Sequence, residues 1–329
     1  MNLNLGQNQI SDEGACTIGL SLGYCKMLQQ LQLDLSSNKI GFLGGSCIGT
    51  GLSQCTLMAS LQIYLYQNQI GGEGSSAISE GLSNCQHLES LKLDLSQNNT
   101  GSKGASGIQS CLKKLTKLTT LDLGFYDNNI TDEGIVDLCK GLRNCKNLNQ
   151  LKLYMHGNQI GDQGISSVGN CLMNFSKIID FQFCLEDNQI QNQGLIDIAK
   201  GLSQCSQLKN LKISLPMNQI DDKGIIGFGQ NLSHCSNLQS LNLDISENKI
   251  TKQGYLNLDE CLSSLKKLTF LKCLLSKREQ LLKSRYMINC RNIKTLKLNL
   301  EFCREQEQVW HKKNALKIIR LVDLIIQLS

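Results

Sequence analysis

Apolar residues alternate with polar residues in a short run that recurs along the chain. In segment 238–254, Leu241, Leu243 and Ile245 occupy every second position. This alternation predicts a β-strand with one buried face. Asn248 follows the strand, and a polar run then leads to Gly254. The pattern therefore predicts a strand and then a turn in each copy.

A second apolar pattern follows each strand. Ile18 and Leu22 are four residues apart, and Cys25 follows three residues later. That spacing places the three side chains on one face of a helix. Ile48 and Leu52 repeat the pattern one unit later. Each unit is thus predicted to be a strand, a loop, a helix and a return.

The strand–helix unit recurs every 30 residues through nine copies without an insertion. The asparagine after the strand recurs at Asn8, Asn38, Asn68, Asn98, Asn128, Asn158, Asn188, Asn218 and Asn248. A glycine follows it at Gly14, Gly44, Gly74, Gly104, Gly134, Gly164, Gly194, Gly224 and Gly254. A fixed period of this length is typical of a solenoid, in which each unit buries its apolar faces against its neighbours.

Two spacings predict the shape of the stack. Neighbouring strands lie about 4.8 Å apart, whereas packed helices need about 10 Å between their axes. Strands on one side and helices on the other must therefore bend into an arc. We predict an α/β fold, a curved horseshoe of about 12 strands with a parallel sheet on the concave face and helices on the convex face.

The recurring asparagine is a polar residue at an otherwise apolar junction. A buried polar side chain needs hydrogen-bond partners. We therefore predict that these asparagines satisfy backbone groups of the turn. They would form a structural ladder along the solenoid rather than a binding site.

The regular register ends near residue 270. We predict that residues 1–270 form nine regular 30-residue repeats, and that residues 271–329 form two degenerate, shorter repeats as a C-terminal cap. Leu271 and Leu296 lie on successive predicted strands with a shortened spacing, and Val322 takes the equivalent position on the last strand. Helices are predicted at 276–289 and 304–317. Terminal repeats are atypical because one of their faces meets solvent.

Charge is uneven along the chain. The net charge is +5, but from Asp259 onward there are 15 Lys and Arg against 7 Asp and Glu. We predict a solvated basic cap, with an acidic partner or RNA as the alternative. The apolar segment 316–328 fits a strand, with an amphipathic membrane helix as the alternative. We expect neither nucleic acid nor a membrane to be a partner.

Many of the 16 cysteines share one repeat position, which other repeats fill with Phe175 or Leu115. That position is therefore apolar, and free cysteine packs as a small hydrophobe. The chain has no C-x-x-C pair and no secretory signal at its N-terminus. We predict free thiols in a reducing, cytoplasmic compartment.

No group of residues predicts catalysis or a cofactor. The four histidines lie at different repeat positions, and neither H-E-x-x-H nor G-x-x-x-x-G-K-[ST] occurs. The cysteine spacings do not match those of zinc ligands. We therefore predict a protein that is not an enzyme and that uses no metal or cofactor.

The motif LxLxLxxNxI, followed by a polar run, a glycine and a helix, resembles the leucine-rich repeat in its long, helix-containing, ribonuclease-inhibitor-like subtype. The resemblance covers essentially residues 1–300. It implies a curved solenoid that binds other proteins on its concave face. It implies no single activity.

The residues that alternate with the strand leucines line the predicted concave face. Most are small or polar, but larger side chains cluster on a few repeats. Tyrosine is a common anchor of protein interfaces, although it also simply suits strands. We predict a partner-binding face formed by Tyr64, Tyr66, Tyr126, Lys152, Tyr154, His156, Lys212, Pro216 and Met217.

The N-terminal edge of the sheet is a second open surface. Leu3 and Leu5 belong to a predicted strand with no strand before it. Exposed strand edges pair readily with other chains. We predict that this edge meets a partner, a second copy or a further segment.

The leading functional prediction is a non-enzymatic scaffold or adaptor that binds a protein partner of unknown identity through the concave face. One alternative is a GTPase activator that resembles the Ran GTPase activators, which are also built from such repeats. Another is an inhibitor that covers an enzyme's active site. Arginine often stabilises the transition state of GTP hydrolysis, but none of Arg143, Arg278, Arg285, Arg291, Arg304 and Arg320 lies in a loop after a regular strand.

Overall fold

Strands and helices alternate along the chain in the computed structural model, which describes residues 1–274, 293–299 and 323–327. The strands are β1 (Asn2–Asn4), β2 (Gln30–Asp34), β3 (Ser60–Tyr64), β4 (Ser90–Asp94), β5 (Thr120–Gly124), β6 (Gln150–Tyr154), β7 (Asp180–Cys184), β8 (Asn210–Ser214), β9 (Ser240–Asp244), β10 (Phe270–Leu274), β11 (Thr295–Asn299) and β12 (Asp323–Gln327). The helices are α1 (Asp12–Tyr24), α2 (Phe42–Leu52), α3 (Gly71–Leu82), α4 (Gly101–Leu112), α5 (Asp132–Leu142), α6 (Asp162–Leu172), α7 (Asn192–Ser203), α8 (Asp222–Leu232) and α9 (Lys252–Leu262).

The strands form one parallel sheet in chain order, 12 strands wide in the described residues. Each residue of a regular strand pairs with its equivalent in the next repeat, so Leu31 lies beside Leu61 and Leu61 beside Leu91. The leucines therefore form continuous buried rows under the sheet. The predicted α/β solenoid, with strands on its concave face and helices on its convex face, is confirmed.

The core lies between the sheet and the helices. Leu61, Ile63 and Leu65 enter it from one strand and its turn, and Ile78 and Leu82 enter it from the following helix. All five side chains are fully buried. Burying an aliphatic side chain of this size contributes about 1.5–3 kcal/mol. Because each repeat covers the next, the units form one continuous core.

Small residues bring the convex helices close together. A Cβ atom added at Gly51 in α2 would collide with the backbone of Gly19 in α1, and one at Gly81 in α3 would collide with Gly49. The glycine of the repeat motif also sits at a close contact, since a Cβ at Gly44 would lie 2.7 Å from Ile40 Cγ2. These glycines therefore permit close packing within and between repeats.

The asparagines bind the turns of neighbouring repeats to one another. From Asn38 to Asn248, each side-chain amide donates to the strand-end carbonyl 33 residues earlier. Each side-chain oxygen accepts from a backbone N–H 28 residues earlier. Asn8 donates to its own turn, at the carbonyls of Leu5 and Gly6.

The residue before each asparagine adopts a left-handed backbone conformation. Gly157 takes it with φ of 65°, which costs glycine nothing. Met217 takes it at the same repeat position with φ of 54°. A side chain makes this conformation unfavourable by roughly 1–2 kcal/mol. The turn geometry is thus imposed by the array even where the residue resists it.

The C-terminal strands depart from the register of the regular repeats. Leu271 pairs with Leu296, as the sequence predicts. Leu296 then pairs with Leu324 rather than Val322, so the predicted register of the last strand is wrong by two residues. Apolar residues alternate in the sequence of this segment, and a shift of two residues keeps the same set of residues on one face of a strand. The predicted helices at 276–289 and 304–317 lie outside the described residues, and the division at residue 270 stays a prediction.

One cysteine pair corrects the prediction of free thiols. Cys16 in α1 and Cys47 in α2 form a disulfide, with their Cα atoms 4.7 Å apart. The two residues are 31 positions apart, so they do not share a repeat position, and comparison of equivalent positions does not pair them. The close approach of α1 and α2 brings them together.

Most cysteines of the shared apolar position behave as predicted for packed thiols, although Cys25 in the first repeat is exposed. Cys55, Cys85 and Cys205 are buried and free. Cys55 Sγ and Cys85 Sγ each donate to a carbonyl near the end of the helix in the previous repeat, Leu22 O in α1 and Leu52 O in α2, at 3.4 Å. Burial raises the pKa of the Cys85 thiol to about 12. Such thiols are poor nucleophiles because the reactive thiolate is scarce.

Candidate functional site

Three rows of side chains cross the concave face of the sheet. The first row runs through Lys92, Asp122, Lys152, Gln182 and Lys212, which are paired in register. The second row runs through Tyr64, Asp94, Gly124, Tyr154, Cys184, Ser214 and Asp244. The third row follows two residues later and includes Tyr66, Ser96, Tyr126, His156 and Pro216. Parallel pairing continues there, since Gln97 N donates to Tyr126 O and Asp127 N to His156 O.

Gly124 leaves a gap in the middle of these rows. Asp94 and Tyr154 flank it on the neighbouring strands, while Asp122 and Tyr126 precede and follow it on its own strand. A Cβ atom at this position would lie 2.5 Å from Asp94 Oδ1. Because glycine has no side chain, the surrounding residues enclose a hollow with Gly124 at its floor.

This hollow, which we name the Gly124 pocket, has a volume of about 290 Å³. It is lined by Tyr66, Lys92, Asp94, Ser96, Asp122, Gly124, Tyr126, Tyr154 and His156. The four strands involved, β3, β4, β5 and β6, are consecutive in the sheet. A rigid sheet therefore positions every side chain of the pocket.

Two aromatic rings form one wall. The rings of Tyr126 and His156 stack with their centroids 4.0 Å apart and an angle of 17° between their planes. Gly157 allows this packing, since a Cβ there would lie 3.3 Å from Tyr126 Cε2. The backbone N–H of Tyr126 donates to Ser96 Oγ at 3.1 Å. The two rings are therefore held against each other, and a ligand can stack only on an outer face of the pair.

A lysine and two carboxylates form the opposite side. Lys92 Nζ lies 3.7 Å from Asp122 Oδ2 and 5.0 Å from the centre of the Tyr64 ring. Asp94 Oδ1 accepts the backbone N–H of Ser96 at 3.0 Å. Among the described residues, no Lys or Arg side chain lies within ion-pair distance of Asp94. The side therefore carries two negative charges against one positive charge.

Burial changes the pKa of several pocket groups. It raises the pKa of the Asp122 carboxyl above its usual value, although Lys92 and Lys152 act to lower it. It also raises the pKa of the Tyr154 phenol to about 12, with Asp122 adding to the effect. Burial lowers the pKa of His156, against the opposing influence of Asp127 and Asp94. At neutral pH, Tyr154 and His156 are therefore uncharged.

His156 has hydrogen-bonding capacity to spare. Its Nδ1 atom is buried and has no hydrogen-bond partner among the described residues. Buried polar atoms without a partner are uncommon and often lie at functional sites. The unpartnered nitrogen adds a second reason, besides the hollow itself, to regard this place as a site.

The structure brings together some of the residues that the sequence analysis selected. Tyr66, Tyr126, Tyr154 and His156 line the pocket. Tyr64 contacts it through Lys92, and Lys152 neighbours Asp122 in the first row. Lys212, Pro216 and Met217 lie on and after β8, away from the pocket.

Sequence analysis missed five lining residues, namely Lys92, Asp94, Ser96, Asp122 and Gly124. Four are small or polar side chains that look ordinary on a solvated strand. Gly124 carries the useful signal, because it stands in a row where neighbouring repeats have Asp94 and Tyr154. Aligning the repeats on their common period and searching for a missing side chain would find the hollow.

A second, more polar hollow lies at the same ends of the strands. It has a volume of about 520 Å³ and is lined by Asn68, Gln69, Gly71, Gln97, Asn98, Asn99, Asp127 and Asn129. Gln97 and Asp127 in its lining directly follow Ser96 and Tyr126 of the Gly124 pocket. Side-chain amides both donate and accept hydrogen bonds, so this surface suits a polar partner such as a peptide backbone.

The N-terminal edge exposes apolar side chains. In the described residues β1 pairs with β2 alone, and α1 exposes Leu20 (63%) and Tyr24 (87%). This geometry agrees with a surface that associates, but nothing on it identifies an occupant. Association at this edge stays a prediction, which sedimentation of the purified chain at increasing concentrations would test.

Metal-binding clusters and membrane-spanning helices are both absent from the described residues. Within residues 1–274 and the two shorter described segments, no group of three or more His, Cys, Asp and Glu is arranged to hold a metal ion. None of the helices that the structure describes has the length and apolar character needed to span a bilayer.

Comparison with known proteins identifies the repeats. A sequence model of the family described as "Leucine Rich repeat" matches residues 2–19, 31–49 and 114–139. No curated protein matches the chain. A plant ice-binding protein of known crystal structure is similar at 15% identity and a TM-score of 0.42, over 91% of this chain and 80% of that chain. That likeness is too weak to carry an argument.

The family matches coincide with the structural units. They cover β1 with part of α1, β2 with part of α2, and β5 with most of α5. Units of the same length and register fill the positions between them and continue as far as β10, in one parallel sheet. These matches and the alternating strand–helix units of the parallel sheet support a leucine-rich-repeat protein.

Proposed function

We propose that this protein is a non-enzymatic interaction scaffold that binds a protein partner at the Gly124 pocket and the surface around it. The observation that carries the proposal is the pocket itself, a hollow of about 290 Å³ that combines three tyrosines and a stacked histidine with two carboxylates. Aromatic residues in a hollow, surrounded by polar groups, are typical of the energetic centres of protein interfaces.

The position of the pocket supports the same proposal. It lies on a sheet of parallel strands, so a partner would meet residues that are already in place. Binding to a rigid surface avoids the entropy cost of ordering loops. The polar hollow beside it would accept hydrogen-bonding groups of the same partner.

The expected partner-binding face divides into two parts under this proposal. Tyr64, Tyr66, Tyr126, Lys152, Tyr154 and His156 belong to or adjoin the binding centre. Lys212, Pro216 and Met217 would contact the partner only at the margin of the interface. Residues at the margin typically contribute little to affinity.

Paired affinity capture from native extract tests the proposal. One bait is the wild-type chain, and the second carries Tyr66→Ser, Tyr126→Ser and Tyr154→Ser. Tyr24→Ser is the matched control, since it makes the same chemical change on a helix outside the sheet. The proposal expects a protein that the wild type and the control capture and the triple variant loses, with circular dichroism confirming that all three fold.

A partner captured equally by the wild type and the triple variant would contradict the proposal. Its loss from the Tyr24→Ser bait alone would place the functional centre at the N-terminal edge. The GTPase-activator and enzyme-inhibitor alternatives stay predictions, as Arg143 follows α5 and the other five arginines lie outside the described residues.

We further propose a cytoplasmic location. The 12 free cysteines among the described residues support it, and the Cys16–Cys47 disulfide counts against it. Alkylation of protein freshly released from cells, followed by peptide mapping, would decide. Modified Cys16 and Cys47 would indicate a reducing compartment, whereas a protected pair would indicate an oxidising one.

A further inference from the structure

The Gly124 pocket has a net negative charge. Asp94 and Asp122 lie on one side of it, and Lys92 is the one basic residue in its lining. The Lys92 ammonium is already held between Asp122 and the Tyr64 ring. Asp94 has no such cation among the described residues, so a negative charge remains available to a ligand.

The charge on Asp122 is also incompletely compensated. Its side chain is 14% exposed, and Lys92 Nζ is 3.7 Å away. Burial still outweighs the influence of Lys92 and Lys152, so that its pKa lies above the usual value. A carboxylate in this state gains from a further positive charge nearby. Asp94 and Asp122 therefore both favour a cationic ligand.

The aromatic wall adds a requirement of shape. Tyr126 and His156 present nearly parallel rings, 17° apart. A planar cation stacks on such a surface, and a guanidinium also matches a carboxylate with two parallel hydrogen bonds. The ammonium group of lysine is compact and strongly hydrated, so it uses neither feature as well.

The volume limits the ligand to one side chain. Pockets for drug-sized ligands occupy roughly 300–1,000 Å³, and this one is at the lower end at about 290 Å³. An anion would be repelled by the two carboxylates.

We propose that the Gly124 pocket binds an arginine side chain of the protein partner, with the guanidinium stacked on the Tyr126–His156 wall and paired with Asp94. This inference rests on the proposed function and names the chemistry that the partner must present. It assigns recognition of the guanidinium to residues of β4, β5 and β6. The tyrosines of the concave face do not by themselves indicate a cationic ligand.

Ligand-observed NMR titration of the full chain tests the inference directly. The probe is N-acetyl-L-arginine amide, and N-acetyl-L-citrulline amide is its uncharged match in shape. We expect saturable binding of the arginine probe, with affinity about tenfold or more above that of the citrulline probe. N-acetyl-L-lysine amide should bind more weakly than the arginine probe.

Asp94→Asn should reduce affinity for the arginine probe by about tenfold. Asparagine can still accept the Ser96 N–H, so the turn is preserved. Asp244→Asn is the matched control, because Asp244 occupies the same row and accepts the Ser246 N–H at 3.1 Å. The control should bind the probe as the wild type does.

Four results would overturn the inference. They are the absence of saturable arginine binding, equal binding of arginine and citrulline, tighter binding of lysine, and equal effects of the two asparagine variants. If the capture experiment still identified a partner lost by the tyrosine variant, the proposed function would stand without the arginine. If the probe bound but no partner were lost, the pocket would stand and the proposed scaffold function would fail.

Discussion

The repeats around β5 and the repeats around β8 share one framework and differ in what they carry. Asn128 donates to Leu95 O at 2.9 Å, and Asn218 donates to Leu185 O at the same distance. Both are buried, and both follow strands whose apolar residues are buried. The backbone and its support are therefore equivalent in the two regions.

The concave rows differ sharply between the same two regions. The second row has Gly124 in β5 and Ser214 in β8, and the third row has Tyr126 and Pro216 respectively. The residues at the buried positions determine the solenoid fold. The residues on the concave face can differ from repeat to repeat without changing that fold. A site can thus arise where one side chain is missing, without any change in the framework.

The largest expected effect concerns the shared framework. Asn128→Leu should lower the free energy of unfolding by about 3 kcal/mol or more, because it leaves the buried N–H groups of Asn98 and Thr100 without their acceptor and removes the bond to Leu95 O. Asn218→Leu should cost a similar amount, since it removes the bonds to Leu185 O and Ile190 N. Chemical denaturation followed by circular dichroism would measure both.

An unchanged unfolding midpoint in either variant would show that these bonds do not stabilise the array. A large loss at Asn128 alone would show that the two regions are not equivalent. Comparable losses would support a structural role that is independent of the pocket.

The next effect separates the two regions. Gly124→Ala should abolish most binding of the arginine probe and destabilise the fold by about 1–3 kcal/mol, because the new Cβ would meet Asp94 Oδ1 at 2.5 Å. Ser214→Ala, at the same row position of β8, should change stability by less than about 0.5 kcal/mol. Probe titration and denaturation of both variants provide the measurement. Unaltered probe binding by Gly124→Ala would remove this glycine from the site.

The framework could be predicted from sequence because its signals are periodic. The apolar residues of β3 and β4 and the asparagines after these strands recur with one period. Equivalent residues have the same strand pairing and the same hydrogen bonds in each repeat. Sequence therefore gives the strands, the helices and their stacking order. The two-residue error at Leu324 arose where that period ends.

The site was harder to predict because it depends on contrast between repeats. Tyrosines at Tyr126 and Tyr154 were visible as large residues on a polar face, but the hollow between them comes from the absent side chain of Gly124. The disulfide was missed for a related reason, since Cys16 and Cys47 are offset by one residue from the period. Deviations from the repeat carry this information.

A smaller effect should appear as a pH dependence of the pocket. Its ionisable groups include Asp94, Asp122, Lys92 and His156, with Asp127 nearby. Acidification moves His156 toward its positively charged form at a pH below its ordinary pKa, because burial lowers that pKa, and it moves Asp122, whose pKa is raised, toward its neutral form at a pH above the ordinary value. Arginine-probe affinity should fall by about threefold to tenfold.

The variant His156→Phe keeps an aromatic ring in the wall and removes the titrating group, so its pH dependence should be shallower. Folding lowers the pKa of His156, so the folded state prefers the neutral imidazole. The resulting contribution to stability is fully present at pH values above the pKa of His156 in the unfolded chain. That contribution is lost as pH falls through the folded pKa. Probe titrations at several pH values would test this prediction. An affinity for the arginine probe that rises on acidification would contradict it.

The smallest expected effect compares one turn position in the two regions. Gly157 and Met217 share it, and both have positive φ. Met217→Gly should raise the free energy of unfolding by about 0.5–1 kcal/mol, because the strain of the left-handed conformation exceeds the extra flexibility of glycine in the unfolded chain. Denaturation against wild type measures it. A loss of stability would mean that the exposed Met217 side chain makes a compensating contact.

The close helix contacts at Gly51 and Gly81 bear on the bend between successive repeats. The bend arises from the difference between helix spacing and strand spacing, and strand spacing is fixed at about 4.8 Å by the backbone hydrogen bonds. Helix spacing is the adjustable quantity, and a Cβ at Gly51 would force α2 away from α1. Each of these glycines thus lets two helices approach closely, which reduces the bend between their repeats. The width of the concave face that a partner can enter is therefore determined by the packing of helices on the convex side.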